Sequence, residues 1–122
     1  MSLRCVPGGE ILTIFFTDAK MVDAPLIEQI HQDMTGILGQ ARQRNVLLDF
    51  RDVTALSSVA LGMLILVNKL CKERGITLKL CAIDPDIAQV FKITGMNKVF
   101  AICKTADDAR AAFQKEGRIA QE

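Results

Sequence analysis

Val46-Leu47-Leu48-Asp49-Phe50-Arg51-Asp52-Val53-Thr54-Ala55-Leu56-Ser57-Ser58-Val59-Ala60-Leu61-Gly62 is the stretch on which the reading of this chain turns. Asn45–Phe50 reads as a compact strand. A short loop follows, and Ser57 or Ser58 opens a helix that runs to about Glu73 and is ended by Gly75. A serine at a helix start has a purely structural use: its oxygen accepts a bond from a free backbone N–H, worth about 1 kcal/mol. The same geometry suits chemistry. A helix N-terminus carries partial positive charge and unpaired donors, so it can hold a phosphate. Phosphorylation would add about −1.5 to −2 charge to an uncharged, apolar stretch, blocking a hydrophobic partner surface without refolding anything.

The flanking sequence sets this segment in an alternating pattern. Gly8-Gly9 separates the strand candidates Arg4–Val6 and Glu10–Phe16 and predicts a hairpin. Ile11-Leu12-Thr13-Ile14-Phe15-Phe16 is apolar on both faces, which places it inside a sheet. Asp23 is the expected N-cap of a helix with Pro25 in its first turn. Leu26, Ile30, Met34, Ile37 and Ala41 form its apolar stripe, while Gly36 and Gly39 weaken its last turns. Downstream, Thr77–Ala82 alternates, with Leu78, Leu80 and Ala82 facing one way and Thr77, Lys79 and Cys81 toward a more exposed face. Asp84-Pro85 starts a third helix with Ile87, Val90 and Phe91 inward, and Gly95 stops it. Lys98–Cys103 is the last expected strand, and Thr105-Ala106-Asp107-Asp108 reads as a capping box before a helix with Ala109, Ala112 and Phe113 on one stripe. The order ββαβαβαβα predicts an α/β domain: a mainly parallel five-stranded sheet, one antiparallel edge strand and about four helices. The ordered core spans about residues 4–116, with a polar, frayed tail at 117–122. Arg51–Ser58 then lies at the carboxyl end of a parallel strand, where such sheets gather their sites.

Composition narrows the function. The 122 residues suit one domain, and with 50% hydrophobic and 24% charged residues the chain can bury a core. A net charge of +1 gives no electrostatic pull toward nucleic acid or an anionic membrane, and six Phe without Trp or Tyr make a poor stacking platform. The longest uncharged run, Val53–Asn68, contains an apolar part, Val59–Val67, far short of the roughly 20 residues that a bilayer span needs. Met1-Ser2-Leu3-Arg4 lacks the apolar region of a signal peptide. Cys5, Cys71, Cys81 and Cys103 form no CxxC pair, so they read as reduced, mostly buried thiols of a cytoplasmic protein. No metal or other cofactor is expected.

The run Val46–Gly62 resembles the STAS domain, the fold of bacterial anti-sigma-factor antagonists and of sulfate-transporter tails. A second block, Val90-Phe91-Lys92-Ile93-Thr94-Gly95-Met96-Asn97-Lys98-Val99-Phe100-Ala101-Ile102 followed by Thr105-Ala106-Asp107-Asp108-Ala109, supports it. The resemblance extends from about Glu10 to Phe113. The family places its phosphoacceptor at the start of the helix after the third strand, in a pattern Asp-Ser-Ser/Thr-Gly-Leu-Gly. Aligned on Leu61-Gly62, the acceptor falls on Ser58, with Ser57 as the alternative. The resemblance implies partner switching. Unphosphorylated antagonist binds an anti-sigma factor that is also a serine kinase, phosphorylation releases it, and a serine phosphatase resets it. Three positions depart from the pattern: Ser57 replaces the Asp, Val59 the second Ser/Thr and Ala60 the Gly. Ala60 adds a methyl where close backbone approach is usual.

Other readings are weaker. Asp49 matches the family's acidic residue at the end of the third strand and is expected to bond loop amides. A receiver-domain reading would make it a phosphoaspartate, but Asp18 alone is a poor acidic pair. His31 falls beside Gln32 on the polar side of its helix. A serine hydrolase would want G-x-S-x-G, and Leu56-Ser57-Ser58-Val59-Ala60 lacks both glycines; no Walker motif is present. Some family members bind nucleotides, but no residue here singles out such a site. The helix Val59–Leu70 is apolar nearly all round, so it is half core and half interface. Met63 and Leu66 are expected to face a partner, with core packing the other outcome, and Ser57, Val59 and Ala60 join them. Gly62 is structural beside the site. The expectation is a non-catalytic anti-sigma-factor antagonist switched at Ser58. The alternative is a non-phosphorylated assembly subunit, stressosome-like or part of a lipid-transport ABC complex.

Overall fold

The computed structural model describes residues 2–121, with side chains described up to residue 116. The expected frayed tail at 117–122 therefore lies outside the residues whose side chains are described. The chain opens as the predicted hairpin: β1 (Leu3–Gly8) runs antiparallel to β2 (Ile11–Phe16), and Gly9 turns the chain at φ 65°, a conformation costly for any residue with a Cβ. Thr17-Asp18-Ala19 leads into a two-residue strand, β3 (Lys20–Met21), and then α1 (Ala24–Gln40). Asp23 caps α1 by accepting from the Leu26 N–H, with proline in the first turn. Next come β4 (Asn45–Asp49), β5 (Ala55–Leu56), α2 (Ser58–Glu73) and β6 (Thr77–Cys81). The chain ends with α3 (Pro85–Ile93), a 3-10 turn at Met96–Lys98, β7 (Ala101–Cys103) and α4 (Ala106–Gln121).

One sheet orders its strands β1-β2-β4-β6-β7, with β2, β4, β6 and β7 parallel. The five-stranded, mainly parallel sheet with one antiparallel edge agrees with the sequence reading. Alternation decides the two faces. Leu12, Ile14, Phe16, Val46, Leu48, Leu78 and Leu80 point toward α1, α2 and α3 in one large core. Ile11, Leu47 and Cys81 point the other way, onto Ala109 and Phe113 of α4. All six residues of β2 are buried, as a strand covered on both faces requires.

Several expectations need correction. The α1 stripe is centred on Ile27, Ile30, Met34 and Leu38, with Leu26, Ile37 and Ala41 only partly buried. The β6 face expected to be exposed is covered by α4. Lys79 is 5% exposed there, with its ammonium 2.9 Å from Glu116 Oε1 and over the Phe113 ring. Ala82 does not share the Leu78–Leu80 face. The strand ends at Cys81, and Ala82 turns away at φ 57° to pack with the smaller cluster. Val90 is exposed on α3, where Ile87 and Phe91 carry the packing. Lys98 is not in a strand: Gly95 at φ 77° starts the 3-10 turn, and Phe100 seats in the core before β7 begins. Thr105 caps α4 by accepting from the Asp108 N–H at 3.1 Å.

Candidate functional site

The loop from β4 to α2 is held at both ends. At its start, Asp49 is fully buried, and its Oδ1 accepts from the Arg51 backbone N–H at 2.9 Å. The expectation that Asp49 bonds a loop amide is thus met. The Arg51 guanidinium closes on the same carboxylate, Nη2 to Oδ2 at 2.8 Å, and lies 4.9 Å from the Phe15 ring centroid. The carboxylate holds the guanidinium pKa above its ordinary value, through the hydrogen bond first and then its charge. At the other end, β5 pairs parallel with β3, an element absent from the sequence reading. The Thr54 and Ala55 amides both donate to Ala19 O, at 2.7 and 3.3 Å, and the Ser57 amide donates to Met21 O at 3.0 Å. Two-residue strands carry no periodicity, so no sequence signal marks them.

These clamps settle which serine caps the helix. Ser57 is half-buried and extended, at φ −87° and ψ 169°, and its Oγ accepts from the Ala60 N–H at 3.2 Å. Ser58 is the first residue of α2, exposed, and its hydroxyl makes no hydrogen bond among the described residues. Of the residues expected to face a partner, Val59 and Leu66 are more than half exposed. Ala60 and Met63 are buried in the main core, because α2 sits on the sheet along its Ala60–Leu64–Val67 side. The extra methyl of Ala60 is therefore absorbed by the core and not presented outward. Two further exposed apolar residues near the site, Ile65 on α2 and Val22 before α1, were not singled out in the sequence.

Between α1 and α2 lies an open groove of about 840 Å³ bordered by Pro25, Glu28, His31, Val59, Gly62 and Leu66. His31 is half-buried at its edge rather than on an open polar face. A Cβ built on Gly62 meets nothing within 4 Å, so no packing demands glycine there. The charge setting also differs from the local sequence. Because β2, β4, β6 and β7 run parallel, Asp18, Asp52, Asp84, Asp107 and Asp108 all follow strand ends on the edge of the sheet from which α2 starts. Asp18 Oδ2 is buried with no hydrogen-bond partner among the described residues. The uncharged run Val53–Asn68 is thus folded into an end of the domain that is acidic on balance, although Arg51 and Lys104 follow strand ends there too.

No three His, Cys, Asp or Glu side chains among the described residues are placed to hold a metal ion. Among them, too, no helix is long and apolar enough to cross a membrane. All four cysteines are free, with Cys71 and Cys81 buried, Cys103 half-buried and Cys5 exposed. Burial pushes the Cys71 thiol up to about 11, and burial together with the Asp49 charge pushes Cys81 up to about 12.

The sequence profile of the STAS domain matches residues 9–109. The chain belongs to the STAS domain family. BtrV of Bordetella bronchiseptica, to which anti-sigma factor antagonism is ascribed, is 28% identical over 114 residues, covering 93% of this chain and 87% of BtrV. The fold superposes on Moorella thermoacetica RsbS with a TM-score of 0.78 at 11% identity, covering 97% of this chain and 99% of that one. It superposes on Bacillus SpoIIAA in its phosphorylated form with a TM-score of 0.66 at 15% identity, covering 91% and 98%.

Proposed function

We propose that this protein is an anti-sigma-factor antagonist, bound by an anti-sigma factor with serine-kinase activity and switched off by phosphorylation of Ser58. The observation that carries the reading is the division of labour between the adjacent serines. Ser57 is spent on capping α2, while Ser58 stands exposed on the helix's first residue, its hydroxyl without a hydrogen bond among the described residues. A phosphoryl group there would sit at the positive end of the helix dipole, so the fold tolerates it. Its effect is on the neighbourhood. It would add negative charge beside the exposed Val59, about two helical turns from Leu66, at an end of the domain already acidic on balance. A partner docked on that apolar surface would then meet a charge it must desolvate. The name of BtrV and the likeness to a phosphorylated SpoIIAA structure support the reading. The domain's role is non-catalytic and cytoplasmic, and a serine phosphatase resets the switch.

Intact mass after incubation with the cognate kinase and ATP tests the reading. One phosphate adduct is expected, lost on Ser58→Ala and retained on Ser57→Ala, and Ser58→Asp weakens binding of the kinase. Retention on Ser58→Ala with loss on Ser57→Ala would move the acceptor by one residue. No adduct with a firmly bound partner would reject the switch in favour of a constitutive assembly subunit.

A further inference from the structure

The end of the domain opposite Ser58 has the contrary charge. The parallel strands begin there, so the segments preceding β2, β4 and β6 converge: Gly9-Glu10, Arg42-Gln43-Arg44 and Arg74-Gly75. None of Arg42, Arg44 and Arg74 forms an ion pair among the described residues, whose ion pairs involve Arg51, Lys79 and Arg110. A cleft of about 460 Å³ opens between the hairpin tip and the α1–β4 connection, lined by Gly9, Glu10, Arg42, Gln43, Arg44 and Asn45. That volume lies within the range of about 300–1,000 Å³ usual for small-ligand sites.

Two of the lining groups are held in place. Arg44 Nη1 donates to the Arg74 carbonyl oxygen at 3.1 Å, which fixes the guanidinium while leaving its other donors open. The Asn45 side-chain amide donates to Glu10 O at 3.4 Å, and its backbone belongs to β4. Arg42 and Arg44 are both exposed. A guanidinium anchored by one N–H and free at the rest presents paired donors matched to an oxyanion. Glu10 opposes two arginines in the same cleft, so the lining remains cationic on balance.

We infer that this cleft is a binding site for the phosphate group of a small phosphate monoester, held by Arg42 and Arg44, with Glu10 setting its affinity. The site is independent of Ser58 and of the switch proposed there.

Amide chemical shifts followed during titration with inorganic phosphate, and separately with glycerol 3-phosphate, test this. Saturable shifts are expected at Gly9, Glu10, Gln43, Arg44 and Asn45, weaker in added sodium chloride. Replacing Arg42→Gln should loosen the complex about tenfold, the loss of one charge-assisted pair. Glu10→Gln should tighten it, a gain that damage to the fold would not produce. Absence of saturable shifts overturns the site, as do shifts confined to the first turn of α2, or an affinity indifferent to both substitutions.

Discussion

Asp49 and Arg51 form an ion pair of unequal members: the carboxylate is 0% exposed and the guanidinium 53%, with Nη2 and Oδ2 2.8 Å apart. The asymmetry predicts which partner matters more. Arg51→Gln leaves a buried carboxylate with the backbone N–H of position 51 as its remaining bond and should cost about 2–3 kcal/mol. Asp49→Asn leaves an arginine that water can solvate, and should cost about 1 kcal/mol. Urea unfolding of the two variants checks the order; equal losses would mean that the pair acts only as a rim contact.

The serines separate stability from switching. Ser57→Ala removes the acceptor for the Ala60 N–H and should destabilise by about 1 kcal/mol, a few degrees in Tm for a domain of this size. Ser58→Ala removes no hydrogen bond among the described residues and should leave Tm within about 1 °C of the parent. Differential scanning calorimetry on the two alanine variants reads both. A drop for Ser58→Ala matching that for Ser57→Ala would show the cap to be shared.

Gly62 lies within α2 with open space where a Cβ would stand. Gly62→Ala should therefore stabilise the free domain by roughly 1 kcal/mol, through helix propensity alone. Denaturant midpoints measure it, and destabilisation would mean that the groove beside Gly62 is narrower in solution.

The buried thiols give a pH dependence with a definite sign. Cys71 and Cys81 carry folded pKa values of about 11 and 12 against an ordinary value of 9.0. The folded state therefore holds their protons longer than the unfolded state does. Their contribution is fully present below pH 9 and is lost as pH rises through 11 to 12. Stability should fall across that window, and Cys81→Ala should flatten the slope. At pH 8 a thiol reagent should label Cys5 first and leave Cys71 and Cys81 untouched until the protein unfolds. Rapid labelling of Cys81 in the native protein would show that α4 opens readily.

The helix caps Asp23, Asp84 and Thr105 and the Gly9 hairpin were legible in the sequence because each is a local rule, satisfied within a few residues. The mainly parallel sheet with its antiparallel edge followed from the alternation of apolar runs with helices, while the spatial order β1-β2-β4-β6-β7 came from the structure. What escaped was set by contacts across long sequence gaps. Lys79 reads as the exposed member of an alternating strand, and only α4 explains its burial, through the Phe113 ring and through Glu116, 37 residues away. The β3–β5 clamp joins residues 35 apart through strands too short to show a period. Met63 and Leu66 were equally apolar in the sequence, and the rotation of α2 on the sheet buried one and exposed the other.

By itself the sequence determined the α/β order, the place of Ser57 and Ser58 at a helix start, and an uncharged run after β4. Periodicity and capping are properties of neighbouring residues, so they need no fold to be read. The tertiary structure alone decided that Ser57 is the cap and that Ser58 makes no side-chain bond among the described residues, because the choice depends on Met21, which fixes the Ser57 backbone from another strand. It also decided that the neutral run sits among Asp18, Asp52, Asp84, Asp107 and Asp108, while Arg42, Arg44 and Arg74 gather at the other end. Parallel strands carry every strand end to one edge and every strand start to the opposite edge, so charges scattered along the chain become segregated in space.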